Sequence, residues 1–171
     1  MERFVWLFPV LLMFHDMEEI IGLGTWIKKN RKLLDEKYPK LSERYRLYST
    51  EGMAFAVYEE FLVSLVICMV ALATDNRFIR LFWLGAFVAY TLHLVIHMGQ
   101  AIVAKGYIPA LITGIFSFPI CVWLIWQCIL ELGCTVGELT GFSILGMIFM
   151  GANLLLAQSL IGKFTSWIEK L

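Results

Sequence analysis

Of 171 residues, 60% are hydrophobic and 16% are charged, the formal net charge is zero, and the mean hydropathy is +0.75. Soluble domains carry roughly 25% charged and 45–50% apolar residues, so this chain departs from a soluble composition in both directions. The balanced charge offers no basic excess for nucleic acid, and none is expected as a partner.

A membrane-crossing helix needs about 20 mostly apolar residues. The first such span is expected over residues 4–27; its length and acidic middle distinguish it from a cleaved signal peptide. A polar, basic stretch, 28–49, follows, with Pro39 in its middle. Further spans are expected over 52–74, 79–104, 110–132 and 139–162. They are separated by Asp75-Asn76-Arg77, by Lys105-Gly106-Tyr107-Ile108-Pro109, and by Gly133 to Gly137. Glycine and proline are the strongest local breakers. Pro119 is expected to kink the fourth span, while Gly141, Gly146, Gly151, Ala152 and Ala157 suggest close packing on the fifth. The reading is all-α: one polytopic transmembrane helical bundle of about five helices over residues 1–171.

Lysine and arginine set orientation. The first loop holds eight (Lys28, Lys29, Arg31, Lys32, Lys37, Lys40, Arg44, Arg46); Lys105, Lys163 and Lys170 bring that side to eleven, against Arg3, Arg77 and Arg80 on the other. The N-terminus is therefore expected outside and the C-terminus in the cytoplasm, in the cell membrane. Trp6, Trp26, Trp83 and Trp167 fall near span ends, as interfacial anchors do. Cys68, Cys121, Cys128 and Cys134 form no CxxC and read as apolar packing residues.

All three histidines, His15, His93 and His97, fall inside apolar spans, with Asp16, Glu18, Glu19, Glu59 and Glu60. An ionised group at the bilayer centre costs at least about 2.5–3.5 kcal/mol, so these groups must be paired, neutralised, wet or bound to a cation. His15, Glu18 and Glu19 stand at i, i+3 and i+4 and share a helical face; so do His93 and His97. Tyr90 and Gln100 extend the second face by a turn each way. Glu59 and Glu60 diverge by about 100°, so only one enters the core fully. Counted from the outer span ends, the histidines and acids lie about 11–18 residues in, a slab roughly 10 Å thick at 1.5 Å per residue.

Nitrogen and carboxylate oxygen at one level suit zinc, iron or manganese. Inward Glu and His on facing helices are how di-metal sites arise in helical bundles. The expected ligands are His15, Glu18, Glu19, His93 and His97, with one of Glu59 and Glu60, here Glu60. They would hold one or two divalent ions. Glu19 and Glu59 are the candidates for general acid/base work. Asp16, about 100° off the His15 face, is expected to support the site or meet a neighbouring helix. Asn153 is expected to orient a ligand or bond between helices.

The run His15-Asp16-Met17-Glu18-Glu19 resembles the defining motif of the HXXEE family of small membrane proteins. That family also has a further histidine, matched by His93 or His97, and a Tyr-x-Pro-Gly motif. The last is matched by Tyr107-Ile108-Pro109-Ala110, with Ala110 replacing the glycine. The resemblance implies the fold and these site residues, Tyr107 among them, and names no reaction.

The function expected is a membrane-embedded metal-dependent enzyme acting on a lipid or other apolar substrate. Hydrolysis through a metal-bound water leads, because nothing in the sequence marks an electron-delivery partner. A di-iron oxidoreductase at the same site is the alternative. An ion or proton transporter is the reading from another class. A homo-oligomer is compatible with all three.

Overall fold

The computed structural model describes residues 1–171, all helical and without strands. Seven α-helices follow one another: α1 (Leu7–Lys29), α2 (Arg31–Lys37), α3 (Pro39–Arg44), α4 (Thr50–Ala73), α5 (Arg77–Ala104), α6 (Leu111–Leu132) and α7 (Val136–Ile168). Helices α4 to α7 are long and apolar enough to cross a membrane. Helix α1, at 23 residues, has the length but carries the acids.

The ends of α1 fix its course. Near its start, Arg3 donates to Glu131 at the end of α6 at 2.6 Å, and the Met1 amine meets the same carboxylate. Near its other end, Trp26 Nε1–H donates to the Tyr107 carbonyl just before α6, at 2.8 Å. So α1 runs antiparallel to α6 along its whole length. It also packs on α4, while α5 packs on α6 and α7, and α7 on α4. The basic stretch 28–49 is not plain loop: it forms the short helices α2 and α3, with Pro39 opening α3, where its missing N–H costs nothing.

Between long apolar helices, small residues let backbones approach closely. Two glycine contacts are of this kind. A Cβ on Gly146 would stand 2.2 Å from the Gly85 carbonyl carbon, and one on Gly85 would stand 2.0 Å from the Phe142 oxygen. Helices α5 and α7 therefore touch backbone to backbone. A Cβ on Gly52 of α4 would stand 2.5 Å from the Ile161 oxygen of α7. Of the small residues singled out on α7, only Gly146 and Ala157 take part. Gly141 and Gly151 face open space and Ala152 is exposed. Periodicity alone does not say which face of α7 meets a partner.

The core joins Phe8 of α1 to Trp83, Phe87 and Tyr90 of α5, with Cys68, Cys121, Leu124 and Cys128. Trp83 is a correction to the anchor reading. It is buried, stacks on Phe87 at 5.4 Å, and donates its indole N–H to Cys68 Sγ at 3.3 Å. An inward tryptophan finds its partner in the core, whereas Trp6 and Trp167 stay exposed. All four cysteines are free thiols.

The two ends of the bundle differ in charge. At the end that carries Met1, every arginine is paired: Arg3 with Glu131, Arg77 with Glu138 at 2.9 Å, and Arg80 with Glu2 and Asp75 at 3.1 and 3.0 Å. At the other end only Arg31 and Lys32 pair, each with an acid one turn on.

Candidate metal centre

Three helix starts carry their own caps. Ser49, Asn76 and Thr135 accept from the first turns of α4, α5 and α7. Helix α6 has none, because its N-cap is Ala110, and four amides at a helix start lack internal partners. Glu18 of α1 fills the vacancy. Its carboxylate accepts from Thr113 N–H at 2.7 Å, Ile112 N–H at 3.3 Å, the Thr113 hydroxyl at 2.7 Å and the Tyr107 hydroxyl at 2.8 Å. A negative charge there also meets the positive end of the helix dipole. Burial and this bond push the Tyr107 phenol up to about 12, so it stays a donor at any physiological pH.

This clamp draws the start of α6 over His15, which is fully buried. The ring centroid of His15 lies 5.6 Å from that of His93 and 5.2 Å from that of His97. One ligand nitrogen from each of the three falls within 4.8 Å of the others. His93 Nε2 and His97 Nε2 are 3.0 Å apart. Two nitrogens bound to one tetrahedral zinc at about 2.0–2.1 Å stand about 3.3 Å apart, so the pair is near that geometry. His15 Nε2 is buried without a hydrogen-bond partner. Glu19 Oε1 lies 3.3 Å from His97 Nε2 but outside the group of three.

The other expected residues separate. Glu18 is committed to α6 rather than to the histidines. Glu59 turns to α7, where Asn153 Nδ2–H donates to it at 3.4 Å; this pair holds α4 to α7 and stands apart from the centre. Glu60 is the inward member. It, Asp16 and Glu19 lie within Coulombic range of one another, outside the histidine group. Asp16 is 5% exposed, with Oδ2 unpartnered. Tyr90 donates to the Leu11 carbonyl at 2.7 Å and sets its ring edge-on to His15. Gln100 is exposed and its side chain makes no hydrogen bond.

Thr113 was not singled out from the sequence. The signal available was the non-capping Ala110 ahead of a helix start, which leaves amides for another segment. Just after α3, Tyr45 packs close enough for its phenol to feel Glu19; burial first, then that charge, pushes it up to about 12.

The fold and site define an all-helical protein with four helices long and apolar enough to cross a membrane and a three-histidine centre, buried at His15, beneath a helix start capped by Glu18. The chain matches the family described as "Protein of unknown function with HXXEE motif" over residues 6–124. It belongs to that family. No curated protein and no solved structure matches it. The backbone at Ala110 gives a reason for the motif's glycine: φ is +75° there. That left-handed conformation costs a residue with a Cβ roughly 1–2 kcal/mol.

Proposed function

We propose that this protein is a membrane-embedded metal-dependent hydrolase of lipids or other apolar substrates. The observation that carries the reading is the convergence of three imidazole nitrogens within 4.8 Å, with His15 Nε2 buried and unpartnered. A buried polar atom without a partner costs about 1–3 kcal/mol, which an ion would offset. His15, His93 and His97 would hold one divalent ion, zinc or iron, and three protein ligands leave a position open, as in catalytic sites. The ion would supply a lowered pKa for a bound water. Glu19, against His97, would take that water's proton and return it to the leaving group. A dinuclear oxidoreductase would need bridging carboxylates, and the commitments of Glu18 and Glu59 favour a single ion. Bare apolar side chains next to the ligands along the same helices, Leu92, Val95 and Ile96 on α5 and Phe14 and Met17 on α1, favour a substrate that arrives from the bilayer.

Protein purified in mild detergent without chelators should carry about one zinc or iron per chain by elemental analysis. It should also release product from a total lipid extract followed by mass spectrometry. Wild-type protein free of transition metal would overturn the reading. Cation or proton flux in proteoliposomes would then favour transport, to which the carboxylates Asp16, Glu19 and Glu60 would be suited.

In this reading α1 is a fifth span, and the Met1 end, with its paired arginines, faces outward. The excess of unpaired lysines at the opposite end supports this. In a Cys134→Ser background, a membrane-impermeant maleimide should label Asp75→Cys in intact cells and leave Lys37→Cys unlabelled until lysis. The reverse pattern would invert the topology.

A further inference from the structure

We infer that Thr113 is a positioning residue that fixes His15 in the Nδ1–H form, so that the Nε2 lone pair faces His93 and His97. The inference deepens the metal reading, but its first half stands on protons alone. A threonine hydroxyl has one proton to give and lone pairs to receive. Thr113 Oγ1 lies 2.7 Å from Glu18 Oε2, 3.4 Å from the His15 carbonyl and 3.3 Å from His15 Nδ1. The shortest contact takes the proton, because an ionised carboxylate accepts only and makes the stronger, charge-assisted bond. Glu18 itself has nowhere to turn. Both its oxygens already receive N–H and O–H donors from Tyr107, Ile112 and Thr113.

With its proton spent, Thr113 Oγ1 meets His15 Nδ1 as an acceptor, so Nδ1 must carry hydrogen. A neutral imidazole has one N–H, and Nε2 is then a bare lone pair. That nitrogen is the buried atom without a partner, and the nearest heteroatom-bearing rings to His15 on α5 are His93 and His97. The order Glu18–Thr113–His15 is a carboxylate–hydroxyl–imidazole chain. It resembles in logic the carboxylate partners that orient metal-bound histidines elsewhere, with a hydroxyl interposed. It also explains why α6 starts without its own cap: the carboxylate that caps it sets the ring.

The test uses the full-length protein with ¹⁵N-histidine. In metal-free wild type, ring nitrogen shifts should report His15 as Nδ1–H. Thr113→Val, which keeps the shape and deletes the hydroxyl, should give a mixture of the two forms. It should also weaken binding of zinc ion alone about 10- to 100-fold. Thr113→Ser should restore both. Wild-type His15 found as Nε2–H overturns the inference even if no variant folds; so does a Thr113→Val protein with unchanged shifts and unchanged zinc affinity. Wild type that binds no zinc but shows Nδ1–H defeats the metal reading and leaves the positioning role of Thr113 in force.

Discussion

Replacing Glu19 by glutamine is expected to lower turnover by about 100- to 10,000-fold, the range of a lost general acid/base, while the metal content and the unfolding temperature stay near wild type. Glu19 touches the centre only through His97, at 3.3 Å, and lies outside the group of ligand nitrogens. An amide fits the same space but cannot take up a proton. Its neighbour in the sequence should behave in the opposite way. Glu18→Gln weakens four hydrogen bonds at the start of α6 and removes the charge that meets the helix dipole. A loss of roughly 1–2 kcal/mol follows, typical of a removed cap, and zinc binding weakens through Thr113 and His15, while turnover per bound metal stays near wild type. Turnover on a lipid substrate and thermal unfolding, measured on both variants, separate the roles. Equal effects on both readouts for the two variants would sink the division of labour.

Gly146→Leu is expected to destabilise the bundle by about 3 kcal/mol or more, the upper range of overpacking. Even the first added carbon would stand 2.2 Å from a backbone atom of α5. Backbone cannot rotate aside as a side chain does, so the two central helices must part, and the packing of Phe82 against Phe149 across them goes with the contact. Gly141→Leu is the matched control, one turn and a residue earlier on the same helix, where a Cβ meets nothing within 4 Å. It should be neutral or slightly stabilising, since leucine is a better helix former than glycine. Thermal unfolding and size-exclusion profiles in detergent read both, and comparable loss in the two variants would refute the close-contact argument.

The long helices were legible because apolar length and Gly/Pro punctuation are local. The expected 79–104 and 110–132 became Arg77–Ala104 and Leu111–Leu132. Helix α7 outran its expected end at residue 162, reaching Ile168, and its added turns are held by Ser49 on Thr165. The histidine group was legible too, since i, i+4 spacing on one helix and matched depth on another leave little freedom. What the carboxylates do was not. Glu18 and Glu19 are adjacent, yet one faces the start of α6 and the other His97, a choice made by the rotation of α1 against its neighbours. The same holds for Glu59 and Glu60, split between α7 and α1. Trp83 looked like an anchor because depth along a helix is readable and direction around it is not.

Helix α1 is synthesised before α6, and Glu18 lacks its partners there when α1 emerges. Thr113, which closes the chain of bonds to His15, lies 98 residues further on, about 5–20 s of synthesis at roughly 5–20 residues per second. An apolar helix can settle in the bilayer alone; one carrying His15, Asp16, Glu18 and Glu19 gains by waiting, at about 2.5–3.5 kcal/mol for each charged group held in hydrocarbon. If α1 crosses the bilayer as proposed above, the site would also serve as a checkpoint of biogenesis: the first helix would complete its passage when the start of α6 arrives to receive Glu18. Chains truncated before residue 111 should then leave their N-terminus on the side of synthesis.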